Sequence, residues 1–236
     1  MSETPVFPPL FSGMAVQGAL DPMDKARSEA ALGCDAGLIV YNNAANALTA
    51  AIVFAPEVPL REAMAMLPVY GVGFQNALGA LAPPEVAVHL EWDGKLRVNG
   101  ASCGRLRVDA STDDPEAVPD WLIVGLEVPL TLAAQDPGII PDATALYEEG
   151  CTEVSPVHLL EAWSRHALVW INRWSEDGNK ALHEEWRGLA WNLGEDVDLL
   201  GKRGTFLGVD EEFGMLLRNE SGTDLVPLTR LLESSE

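Results

Sequence analysis

Basic residues are scarce in this chain. Lys and Arg number 15 against 36 Asp and Glu, a formal net charge of −21. A surface of that sign repels phosphate backbones, which excludes nucleic acid and anionic membranes as partners. Cysteine is scarcer still. Cys34, Cys103 and Cys151 are an odd number at wide spacing, which argues against a disulfide framework and for reduced thiols. No stretch approaches the roughly 18 to 20 apolar residues that a membrane span needs. The opening "MSETPVFPPLFSGMAV" lacks the basic start and apolar centre of a secretion signal, so a cytoplasmic address is expected. His89, His158, His166 and His183 are scattered without ligand spacing, and no metal site is expected. "GVGFQNALG" carries a Gly-x-Gly, but inside a helical run rather than after a strand, so a dinucleotide site is unsupported.

What is present suffices for a core: 47% of the 236 residues are hydrophobic. Residues 1–20 show no periodicity and read as an extended arm. In "DPMDKARSEAALG" Asp21 is placed to cap a helix, Pro22 to open it and Gly33 to stop it. "AGLIVYN" and "ALTAAIVFA" predict two buried strands in a hairpin. "PEVPLREAMAML" and "GVGFQNALGAL" predict helical pieces broken near Pro68. From Val86 the period becomes two, and the turn dipeptides Asp93-Gly94 and Asn99-Gly100 divide strands at 86–92, 95–98 and 104–108. "WLIVGLEVPL" is apolar enough for a central strand, and a loop is expected from Thr131 to Val154. Ser155 and Pro156 open a long helix with an apolar stripe through Leu159, Leu160, Trp163, Ala167, Trp170 and Trp174. Asn179 is placed to cap a second one, which closes at Gly194. Short strands with Gly and Asp turns follow. The expected division is a domain over 1–194 and a small β module over 195–236.

One stretch, "WDGKLRVNGASCGRLRV", runs against the charge of the whole: Lys95, Arg97, Arg105 and Arg107 follow one another with no acid between them. Keeping Leu96, Val98, Leu106 and Val108 on one buried face predicts Leu96 opposite Leu106, with 99–103 as a five-residue loop. Arg97 then faces Arg105 and Lys95 faces Arg107. Like charges so opposed call for an anion: a substrate carboxylate, a phosphate, an acidic carrier protein, or the chain's own acids.

The order of elements resembles the biotin and lipoate protein ligase family, and local stretches carry the resemblance. "EWDGKLRVNG" is similar to the family's Trp-Pro-Asn-Asp strand and Asn-Gly turn, with Trp92, Asn99 and Gly100 in place. "VGLEVPL" resembles its Gly-Ile-Asn strand, "DATALYEEGCTEVSPVHLLEAW" the approach to its first C-terminal helix, and "GTFLGVDEEFGMLLR" the start of its terminal barrel. The resemblance implies an α+β fold: a mixed sheet flanked by helices, with a small C-terminal SH3-like β-barrel. It also implies ATP and biotin or lipoate as ligands, and an acyl- or biotin-carrier domain as partner.

Four positions depart from the family pattern. The Gly-Arg-Gly phosphate loop is replaced by "NNAANAL", the lysine after the Asn-Gly turn by Ser102, the acid of the tryptophan motif by Lys95, and the asparagine of the later strand by Glu127. The expectation is a family relative that binds a small carboxylate or acyl ligand near Trp92, Arg97, Asn99, Gly100, Ser102, Gly104, Arg105, Gly125 and Glu127, with Lys95 as its cation and without ordinary ligation. Two alternatives stand beside it. Cys103 could act as an acyl-accepting nucleophile, the role the resemblance to octanoyltransferases implies, with nearby cations lowering its pKa. The basic ribbon could instead dock an acidic carrier protein.

Overall fold

The computed structural model describes residues 4–44, 46–132 and 142–233. Its first body is a mixed seven-stranded sheet in the order β1-β2-β3-β7-β6-β5-β4. These strands are β1 Ser12–Ala15, β2 Leu38–Asn43, β3 Ala47–Phe54, β4 Val88–Leu90, β5 Lys95–Val98, β6 Ala101–Ala110 and β7 Leu122–Pro129. β1 pairs with β2 in parallel and the remaining neighbours pair antiparallel. The hairpin and the central strand lie where the apolar runs place them. The expected N-terminal arm instead supplies β1, a strand too short and too exposed to leave a periodic signature.

Alternation along β7 divides the sheet into two unlike faces. Leu122, Val124, Leu126 and Val128 enter the main core, which also holds helices α2 (Leu60–Ala63), α3 (Met66–Leu81), α4 (Pro156–Asp177) and α5 (Asn179–Leu189). The break between α2 and α3 falls at Met64 and Ala65, and Pro68 sits in the first turn of α3, where a missing N–H costs nothing. Gly73 lets α3 approach α4 closely: a β-carbon there would lie 3.1 Å from the Cα of Ala167. Trp163, fully buried on α4, donates to the Tyr70 carbonyl at 3.0 Å. On the opposite face α1 (Pro22–Ala31) packs, through Met23 and Ala26 on Leu38, Val40, Ala51, Val53 and Ile123. Asp21 caps α1 as expected, accepting from the Met23 amide at 2.9 Å. Asn179 does not cap α5. Gly178 holds that position, and Asn179 accepts from Trp174 Nε1 and donates to the Glu211 carbonyl.

The C-terminal body is a four-stranded antiparallel meander in the order β11-β10-β9-β8, with β8 Asp196–Leu199, β9 Lys202–Val209, β10 Met215–Asn219 and β11 Gly222–Val226. It shares the main core through Phe206, Phe213, Met215, Leu217, Val226 and Leu228. Backbone contacts reinforce the junction. Ala190 bridges Leu90, and the Trp191 amide donates to the Leu90 carbonyl at 2.8 Å.

The register between β5 and β6 differs from the expected one. Val98 pairs with Ala101, so Asn99 and Gly100 form a two-residue turn with φ of 51° and 90°, the left-handed pair that a type I′ hairpin requires. Beyond it Arg97 faces Ser102 and Lys95 faces Arg105. β6 therefore holds one extra residue, a bulge at Cys103 and Gly104. Gly104 has φ of 106°, and a β-carbon there would stand 2.2 Å from the Glu127 carbonyl oxygen. The bulge keeps Cys103, Leu106 and Val108 all on the buried side, which strict alternation forbids. In the loop expected over 131–154, residues 133–141 lie outside the described residues. Residues 142–144 flank β6, where Ser102 bridges Ala143.

Candidate functional site

On the face that α1 covers in part, the strands beyond the helix carry a polar row set by register. Asn42 lies opposite Thr49, Thr49 opposite Glu127, Glu127 opposite Arg105, and Arg105 opposite Lys95. One step along, Arg107 pairs with Gly125 and Gly125 with Ala51. Gly125 is bare for a reason: a β-carbon there would meet the Met23 sulfur at 3.0 Å, so its absence seats α1 and brings Asp21 over the sheet.

The four cations of the ribbon are answered by the chain's own acids. Lys95 Nζ donates to Asp93 at 2.7 Å and lies 3.9 Å from Glu91. Arg97 bonds Glu91, Asp142 and the Gly100 carbonyl, and its guanidinium stacks over the Trp191 ring at 5.1 Å. Arg107 grips both oxygens of Asp21 at 2.8 and 2.6 Å and reaches Glu233 at 3.5 Å. Burial alone would raise the Asp21 carboxyl. Hydrogen bonds from Arg107 and the Met23 amide outweigh it and hold that carboxyl below its ordinary value. Arg105 has the lightest engagement. Among the described residues its one acid is Glu127 at 3.1 Å, and the two side chains are 55% and 46% exposed. The like-charge pair directly opposed in the ribbon, Lys95 with Arg105, is relieved by each turning to its own acid.

Other sequence-selected residues lie elsewhere. Trp92 is buried against the C-terminal meander and donates from Nε1 to the Phe213 carbonyl at 2.8 Å. Asn99 holds the turn by accepting from the Ala87 amide and donating to Glu149. Ser102 sits on the open side, and Gly104 forms the bulge beside Glu127. Cys103 is fully buried on the core side. Its thiol is pushed up to about 12 by burial and by the charges of Glu149 and Cys151, the opposite of activation by neighbouring cations. In place of a glycine- and arginine-rich cradle, the turn between β2 and β3 has Ala44 and Asn46, after Asn43 at the end of β2, with Ala45 outside the described residues. Among the described residues no cluster of His, Cys, Asp or Glu could hold a metal ion, and no helix is long and apolar enough to cross a membrane.

Sequence reasoning passed over Arg27, Asp109, Trp191 and Glu233. Arg27 donates from Nε to the buried Asp109 at 2.6 Å, and to Asp24 at 2.7 Å and Glu233 at 3.3 Å. An i, i+3 pairing of Asp24 and Arg27 was visible in the helix. Nothing local announces the other contacts.

Comparison with known proteins agrees with this architecture. Residues 7–188 match the Biotin/lipoate A/B protein ligase family, and residues 193–234 match a domain of unknown function (DUF4444). The chain belongs to the biotin/lipoate A/B protein ligase family. Within it, the chain is similar to a biotin protein ligase-like protein of unknown function from Silicibacter sp. TM1040. That solved structure is 61% identical, with a TM-score of 0.93 over 98% of this chain and 100% of the other. A biotin--[acetyl-CoA-carboxylase] ligase of Paracoccus denitrificans is 23% identical over 165 residues, 67% of this chain and 68% of that protein. The apo biotin protein ligase of Aquifex aeolicus, 18% identical, shares the fold with a TM-score of 0.74 over 94% of this chain and 96% of the other.

Proposed function

We propose that this biotin protein ligase-like chain binds a small carboxylate or acyl ligand on the open face of its sheet, over Arg105 and Glu127, without ordinary ATP-dependent ligation. The supporting observation is the half-exposed Arg105, held among the described residues by one acid in the middle of a polar row while its neighbours are each tied to two. A guanidinium with spare donors is suited to a carboxylate. Ligation would also need a cradle for phosphate and a cation at the developing charge. The β2–β3 turn and Ser102 supply neither.

Biotin is the first ligand to try, since the Aquifex aeolicus ligase is described in complex with biotin and ATP. Lipoate and octanoate follow. Calorimetry should detect binding of one of them, weakened at least several-fold by Arg105→Gln. Incubation with ATP and each acid should release no pyrophosphate above background. Equal affinity in the variant sinks the placement of the ligand; pyrophosphate release sinks the loss of ligation. The buried Cys103 and the internally neutralised ribbon favour this reading over a cysteine acyltransferase or a carrier-docking module. Three free cysteines suit a reducing, cytoplasmic setting.

A further inference from the structure

At its C-terminal end the described chain returns to the sheet. After the 3-10 turn Leu228–Leu231, Leu232 bridges Val108 in parallel and the Glu233 amide donates to the Val108 carbonyl at 3.0 Å. This occupies the edge of β6 that β5 leaves open, since β5 pairs no further than Arg105. The Glu233 carboxylate then lies between two guanidiniums, 3.3 Å from Arg27 and 3.5 Å from Arg107.

The acids on these two arginines are not equivalent. Asp21 is held through both oxygens at 2.6 and 2.8 Å and is fixed by its capping bond. Asp109 is buried, 2.6 Å from Arg27, and accepts the Ala110 amide. Glu233 has the longest contacts and hangs on one backbone bridge. It is the exchangeable member. Arg107 stands two residues from Arg105 on the same face, about 7 Å along the strand, within reach of a carboxylate bound over Arg105.

We infer that Glu233 is an internal carboxylate plug: it occupies the Arg27–Arg107 pair in the free protein and yields to the carboxylate of the ligand. The inference rests on the proposed carboxylate site. Exchanging one carboxylate for another leaves the charge balance of the cluster unchanged, so release of the tail costs only its loose contacts. The tail thereby competes with the ligand, and binding loosens the end of the C-terminal meander.

The probe is octanoate, titrated into the full chain, into Glu233→Gln and into a chain ending at Leu231. Both variants should bind about twofold to fivefold more tightly, the range set by exposed ion pairs. In the wild type, saturating octanoate should speed hydrogen exchange at the Glu233 amide, a readout that needs no variant. Unchanged affinity in both variants with unchanged exchange overturns the plug and leaves the ligand site standing, with Arg105→Gln still weakening binding. If octanoate binds none of the three proteins, biotin and lipoate are titrated in its place by the same scheme, and binding of none of the three acids overturns both the plug and the site.

Discussion

The two faces of β5 and β6 are built by different rules. On the core face Leu96, Val98, Cys103, Leu106 and Val108 are buried together against helices and the C-terminal meander. Their positions follow from chain geometry and hydrophobicity, which have no preference among partners. On the open face Lys95, Arg97, Arg105 and Arg107 each choose specific acids, drawn from as near as two residues away and from as far as the C-terminal tail. Apolar burial can be read from a short window. Charge pairing requires knowing which distant segments return to the sheet.

The comparison can be broken first on the core side. Leu106→Ala removes a side chain that is 4% exposed and should destabilise by about 2–5 kcal/mol, read from urea unfolding. A loss below about 1 kcal/mol would mean that this face is not packed as described. The bulge joining the two faces is the next test. Gly104→Ala forces a β-carbon into a left-handed backbone and against the Glu127 carbonyl, with an expected cost of about 1–3 kcal/mol from backbone strain alone. A neutral result would return the register to strict alternation.

Smallest is the open-face test, and it depends on pH. The Asp21 carboxyl is depressed in the folded state, so it contributes stability that is present above its unfolded value near 3.8 and lost as pH falls through the lower folded value. Arg107→Met removes the main cause of the depression. The advantage of wild type over this variant should therefore be full at neutral pH and shrink below about pH 4. Urea midpoints of the two proteins across that range check it, and a pH-independent difference would remove Asp21 from the account.

Most of the fold was legible because periodicity, Asp21 as a cap and paired turn dipeptides are local signals. β1 escaped because four mostly exposed residues carry no pattern, and β8 because its alternating Asp196 and Asp198 resemble a turn. The site was half legible. The basic ribbon stood out against an acidic chain, and Glu127 and Ser102 were marked as departures from the family pattern. Their register was not legible, because Gly104 inserts a residue where alternation was assumed; a glycine inside a strand was the available clue. Glu91, which answers Arg97, lies within a local window, but Asp21 and Glu233 on Arg107 and Asp142 on Arg97 lie in the cap of α1, the tail and the segment before α4, and no local window contains them.

The bond from the Trp191 amide to the Leu90 carbonyl, beside the Ala190 bridge, has a mechanical consequence. The connector between the two bodies is stitched to β4 rather than left slack, and Trp92 is fastened from the other side by Phe213. The meander is therefore tied to the sheet through both its leading connector and its own loop at Phe213. Strain placed on β4 is carried into the meander through these contacts, and the chain beyond the meander ends its described course on β6 through the Leu232 bridge.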